Sequence, residues 1–180
     1  AVPFQVSCGT CSACSERHYA ACEPNQARAG ADFGFGDAGG GHGGGLADLL
    51  RVPDADHMLL AAPESISDLS LATTTDNLVD AYRAVVAGLR DRPGAEVLIV
   101  GGDAPSISLY AILCATALGA GRIRYADSDS QRLAAASDLG AETIDLEGVF
   151  PRRLDRAPIV VSGSLQLEGL HCAIRSTAAY

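Results

Sequence analysis

The chain has 180 residues, 48% of them hydrophobic, with a formal net charge of -9 and a pI near 4.7. That is enough apolar material for one domain or two small ones, and the acidic balance argues against a phosphate-binding face for DNA or RNA and against an anionic membrane surface. No run of about 18 apolar residues and no basic segment leading into an apolar one is present, so neither a spanning helix nor a leader is visible, and the cytoplasm is the expected location.

The chain opens at Ala1 without a Met and runs directly into Val2-Pro-Phe-Gln-Val-Ser7, which reads as the end of a strand, while Tyr180 closes a helix-like pattern. Both ends suggest an excerpt of a longer protein. Next come Cys8, Cys11, Cys14 and Cys22, spaced C-x2-C-x2-C-x7-C. Thiolates are soft donors suited to tetrahedral Zn2+, and a closed shell of four leaves no position for substrate, so the spacing predicts a structural site. A pair of disulfides stapling a secreted loop is the alternative. Residues 23–45 are rich in Gly and Ala and end in Gly39-Gly-Gly-His42-Gly-Gly-Gly45, which glycine's entropy cost keeps out of regular structure. His42 there is either a loop residue capping a carbonyl or a metal ligand. Leu46–Pro53 and Asp56–Pro63 read as two short strands around a Pro-Asp-Ala-Asp turn, completing a small β domain around the cysteine lobe.

From Asp76 the apolar period becomes helical through Leu78, Tyr82, Val85, Val86 and Leu89, and Arg92-Pro-Gly-Ala leads into Glu96-Val-Leu-Ile-Val-Gly-Gly102, a strand apolar on both faces. A helix over 105–118, a strand over 122–127, a helix from about Asp129 to Leu139, a weak strand at 142–145, a strand at 158–162 and a helix over roughly 165–177 follow. This order predicts an α/β fold with a parallel sheet and helices on its faces. Cys114 and Cys172 fall in helical patterns as ordinary buried residues.

Between the first strand and its helix, a glycine turn lets backbone N–H groups approach a pyrophosphate. Gly101-Gly-Asp-Ala-Pro-Ser-Ile-Ser108 occupies that place with a degraded fingerprint. It reads either as Gly101-x-Asp103-x-x-Ser106 or as Gly102-x-Ala104 with one extra residue before Ser108, and Asp103 adds negative charge. Asp127 ends the second strand 25 residues after Gly102, where a carboxylate can accept the hydroxyls of an adenosine ribose and repel a 2'-phosphate. That favours NAD over NADP, with Arg132 as a second ribose contact. The alternative is that Asp127 begins a turn with Ser128 and Asp129.

The cysteine lobe, the glycine loop into Leu46–Pro53, the Pro-Gly-x-x-Val-Leu-Ile-Val-Gly-Gly segment at 93–102 and Asp127 followed by Arg132 occur in an order that resembles the zinc-containing medium-chain alcohol dehydrogenases. Gly43-Gly-Gly-Leu-Ala-Asp48 and Thr75-Asp-Asn-Leu78 look closest to the formaldehyde dehydrogenase-like branch. The resemblance implies part of a GroES-like catalytic domain with a structural zinc lobe over 1–75. A linking helix and a partial Rossmann doubly wound sheet would follow over 76–180. It further implies Asp76 as a catalytic zinc ligand, with a helix N-terminal Asp as the alternative. For Gly101, Gly102, Ala104, Asp127 and Arg132 it implies contacts to NAD. The parent protein would then oxidise or reduce a small alcohol or aldehyde with NAD and two zincs, as a homodimer or tetramer. The family's other catalytic ligands lie upstream of the lobe, so these 180 residues alone are expected to be inactive. A non-catalytic zinc-stabilised binding or scaffold protein with a decayed dinucleotide site is the competing function.

Overall fold

Residues 1–26 and 31–178 are described by the computed structural model. The chain divides into two units, Ala1–Asp76 and Asn77–Tyr180. Residues 27–30 of the glycine- and alanine-rich segment, and Ala179 and Tyr180 at the close of the last helical pattern, lie outside the described residues.

In the first unit the helices are single turns: α1 (Ser12–Ser15), α2 (Glu23–Gln26), α3 (Ala55–Met58) and α4 (Asp68–Ala72). Val6, Ala31, Phe33 and Met58 form its small core, flanked by Val2, Leu50 and Val52. The strands expected at Val2–Ser7, Leu46–Pro53 and Asp56–Pro63 are not formed. The bridge between Gln5 and Asp32 is the extent of sheet pairing among the described residues of this unit. A strand requires a partner to take its ladder hydrogen bonds and a core to take one face. Leu46 and Leu49 instead stand exposed, and Asp54, at φ 48°, turns the chain into α3.

The second unit follows the expected order. It comprises α5 (Asn77–Asp91), β1 (Glu96–Val100), α6 (Pro105–Ala117), β2 (Arg122–Asp127), α7 (Ser130–Asp138), β3 (Glu142–Asp145), β4 (Ile159–Ser162) and α8 (Leu167–Ser176). The strands are all parallel in the order β3-β2-β1-β4. Because side chains alternate across a strand, the unbroken apolar run of β1 serves two cores. Val97 and Ile99 join Ala81, Val85 and Leu89 of α5 and Ala111, Ile112 and Ala115 of α6. Leu98 and Val100 face the other way, with Ala157 and with Ala173 of α8. Cys114 and Cys172 are buried in helices as expected, and burial pushes both thiols up. Tyr82 and Leu113, which share the predicted apolar stripes, are largely exposed. In α5, Ala81 takes the inward place beside Tyr82 because close helix packing favours the smaller side chain.

Successive connections from β1 lead to opposite sides of it, first to β2 and β3 and then to β4. This leaves a crevice beyond the carboxyl ends of β1 and β4, the topological switch point of such sheets.

Candidate functional site

The four cysteines of the first unit are free thiols, not disulfides, and their sulfurs all lie within 4.8 Å of one another. Gly9 allows this closeness: at φ 74° it turns the chain, and a Cβ there would meet His57 Cβ at 2.8 Å. The turn presents the Thr10 and Cys11 amides to Cys8 Sγ at 3.5 and 3.4 Å, and the Cys8 amide donates to Cys22 Sγ at 3.3 Å. Donors from the Thr10 backbone and side chain, followed by the Cys11 amide, hold the Cys8 thiol down to about 6. Burial pushes Cys14 up to about 12 and Cys22 upward as well. Soft donors converging this closely, with amides already aimed at sulfur, fit one tetrahedral Zn2+ that displaces the thiol protons. With four protein ligands such a site has no open position for chemistry.

In the second unit a cavity of about 340 Å³ occupies the switch point, walled by Gly102, Asp103, Asp127, Arg132, Phe150 and Gln166 among others. Asp127, at the end of β2, is sealed: its side chain is 2% exposed, against 30% for Arg132. Arg132 reaches it from α7 in a bidentate pair, Nε to Oδ2 at 2.9 Å and Nη2 to Oδ1 at 2.7 Å. Tyr125 Oη donates to Oδ2 at 2.8 Å, and the Ser128 and Asp129 amides donate to Oδ1 at 2.7 and 3.0 Å. Burial raises the Asp127 carboxyl, but Arg132, the Asp129 amide and Tyr125 outweigh it and leave the group below the ordinary carboxylate range. Asp127 thus also makes the turn with Ser128 and Asp129, while Asp129 caps α7 by accepting from the Gln131 and Arg132 amides. Beneath the carboxylate lies Gly101, where any Cβ would collide with Asp127 Oδ2 and Tyr125 Oη.

Asp103 faces the same cavity from the β1–α6 turn. Its Oδ2 accepts from the Leu165 amide at 2.8 Å and the Ser164 hydroxyl at 3.3 Å. The Leu165 amide holds its carboxyl below the ordinary value, so it is ionised at neutral pH. The Ala104 amide is engaged by Gly163 O at 2.8 Å, and Gly101 N–H by Ala126 O at 2.8 Å; Pro105 has no N–H. A dinucleotide is therefore only partly accommodated. The glycines give close approach and Arg132 offers guanidinium donors, but the turn meets a pyrophosphate with a carboxylate.

Asp76 is exposed in the turn just before α5. Among the described residues the four cysteines are the one cluster of three or more metal-type donors, so none of its kind gathers about Asp76. His42 caps no carbonyl through Nε2, which is buried without a hydrogen-bond partner, and its ring meets the Phe33 ring edge-on at 6.1 Å. Two features escape a reading of the sequence. His57 Nε2 lies 2.8 Å from the Ser7 hydroxyl, a contact across fifty residues beneath the cysteine lobe. The link from Asp103 to the 163–166 loop joins the ends of β1 and β4. No local pattern signals either one.

No protein-family model matches the chain. Among curated proteins it is 39% identical over 160 residues to a formaldehyde dismutase of Pseudomonas putida, covering 84% of this chain and 39% of that protein. It is 41% identical over 158 residues to a glutathione-independent formaldehyde dehydrogenase of Pseudomonas aeruginosa, covering 83% of this chain and 38% of that one. Among solved structures, the alcohol dehydrogenase TADH from Thermus sp. ATN1 superposes with a TM-score of 0.79 at 28% identity, over 98% of this chain and 51% of that one. The chain thus spans about two fifths of the length of these curated relatives.

Proposed function

The chain belongs to the zinc-containing medium-chain alcohol dehydrogenase family, and from that premise we propose that it is part of an oxidoreductase transferring a hydride between NAD and a small alcohol or aldehyde. The observation that carries this reading is the pairing, in one chain, of a closed four-sulfur cluster with a switch-point cavity. Formaldehyde-metabolising relatives 39% and 41% identical support it. In this reading Cys8, Cys11, Cys14 and Cys22 hold a structural Zn2+ and take no part in turnover. Gly101, Gly102 and Ala104 let a nucleotide approach the β1 end, and Arg132, backed by Asp127, meets the ribose. Asp76 is the residue assigned to a catalytic Zn2+, which when bound polarises an alcohol or aldehyde oxygen. A homodimer or tetramer in the cytoplasm is the assembly and location that accompany this proposal.

Two measurements on the whole protein test it: metal content, and NADH formation with formaldehyde or short alcohols. Two zincs per chain with NAD-dependent turnover, reduced by at least about a hundredfold in Asp76→Ala, are expected. One zinc per chain with no turnover of any alcohol or aldehyde would overturn the catalytic reading. The ionised Asp103 favours a second reading, a zinc-stabilised binding or scaffold protein without catalysis, and that result would establish it.

A further inference from the structure

We propose that the switch-point cavity discriminates against phosphate and takes an uncharged nucleoside in preference to a dinucleotide, with Asp103 as the residue that sets this order. The proposal rests on the reading of the cavity as a nucleotide pocket and specifies which part of a nucleotide it holds.

Three observations converge on it. First, two of the amides nearest the β1–α6 turn are spent within the protein. The Ala104 amide is bonded to Gly163 O and the Leu165 amide to Asp103, while Pro105 offers none. Second, the titratable side chains lining the cavity are Asp103, Asp127 and Arg132. Asp127 and Arg132 cancel as a bidentate pair, leaving the Asp103 charge unopposed. Coulomb repulsion between that carboxylate and a phosphate at contact range is worth about fivefold in affinity at the dielectric of bulk water and more than about tenfold at the effective dielectric of a protein surface. Third, the ribose end retains capacity. Arg132 spends Nε and one Nη2 proton on Asp127, and its Nη1 lies 3.9 Å from Asp129 Oδ2, beyond hydrogen-bond range. The guanidinium therefore has N–H groups to give to hydroxyls. Asp127, with its lone pairs taken by five donors, acts as the positioning residue behind it. The cavity volume, about 340 Å³, lies at the small end of the range for ligand pockets.

The experiment is calorimetric titration of the protein with adenosine, ADP and NAD in the absence of divalent cations, repeated on Asp103→Asn and Asp103→Ala. Asparagine keeps an acceptor for the Leu165 amide while removing the charge, and alanine removes both, which separates the charge from the loop contact. Zinc content and melting temperature report whether each variant is folded. The wild-type protein should bind adenosine about tenfold or more tightly than ADP or NAD; Asp103→Asn should bring the three within about threefold by tightening the phosphorylated ligands, with adenosine unchanged within about twofold. ADP binding as tightly as adenosine to the wild type, or an unchanged ratio in folded Asp103→Asn, overturns the proposal while leaving the nucleotide pocket intact. Absence of binding by all three ligands to every variant overturns both.

Discussion

At the scale of single residues, the carboxylate at the end of β2 holds the most consequences. Asp127 is buried under a guanidinium, and removing one partner of such a pair strands the other. Arg132→Ala should cost about 3 kcal/mol at neutral pH in urea denaturation. The sign of the pH effect follows from the depressed carboxyl. Its stabilisation is complete above the unfolded value near 4 and is lost as pH falls through the lower folded value, so the gap between wild type and variant should narrow below about pH 4. A gap that widens on acidification would contradict this account. Gly101→Ala places a methyl against the same carboxylate and the Tyr125 hydroxyl; overpacking there should cost about 1–3 kcal/mol in the same assay. The identities of Asp127, Arg132 and Gly101 as a group were legible from their spacing. That Arg132 covers Asp127 was not, because a five-residue offset between a strand end and a helix permits both an outward and a folded-back guanidinium. Burial of the carboxylate selects the latter, since an unpaired charge cannot be sealed from water.

Among the elements, those whose apolar pattern suffices to define a buried face formed where the sequence placed them. β1 is a run of Val97-Leu-Ile-Val100 with no polar alternative, and α5 and α6 end near glycines as their periods imply. At the amino edge of the sheet, Glu96 pairs with Arg124, which is buried and also donates to Asp155 O at 2.9 Å. Arg122 pairs with Glu142 of β3 at 2.5 Å. Arg124→Ala should therefore destabilise the second unit by about 3 kcal/mol, whereas Arg122→Ala, on an exposed pair, should cost about 1 kcal/mol or less. Equal losses in thermal melts would mean that burial does not govern these pairs. The strands expected in the first unit failed for the complementary reason. Leu46–Pro53 and Asp56–Pro63 send Leu50, Val52 and Met58 to the small core but have, among the described residues, no neighbouring strand to take their ladder hydrogen bonds, and a pattern cannot supply one.

For the whole molecule, the two units draw stability from different sources. The sheet of the second unit buries an apolar cluster on each face, while the first unit has a core of Val6, Ala31, Phe33 and Met58. Domains of that size rarely hold on a core of four side chains, and a Zn2+ held by the four cysteines would supply what is missing. Chelation of zinc, or Cys14→Ser, should therefore release amide protection across residues 1–76 while residues 77–178 keep theirs in hydrogen exchange. Uniform loss across both units would show that the second depends on the metal as well. Acidification should release the metal too, because the sulfurs bind as thiolates and compete with protons.

Sequence alone determined the parts of this protein in which chemistry and spacing coincide: four soft donors gathered in one lobe, an alternation of buried strands and helices, and a glycine turn with a carboxylate one strand away. These are local patterns, each constrained by the geometry of a loop, a strand or a helix. Tertiary structure alone decided which donors and acceptors remain free. The Leu165 amide goes to Asp103 and the Asp127 lone pairs go to Arg132, Tyr125 and two amides. Those partners come together only when separate elements end side by side at the switch point, where burial favours pairing of polar groups.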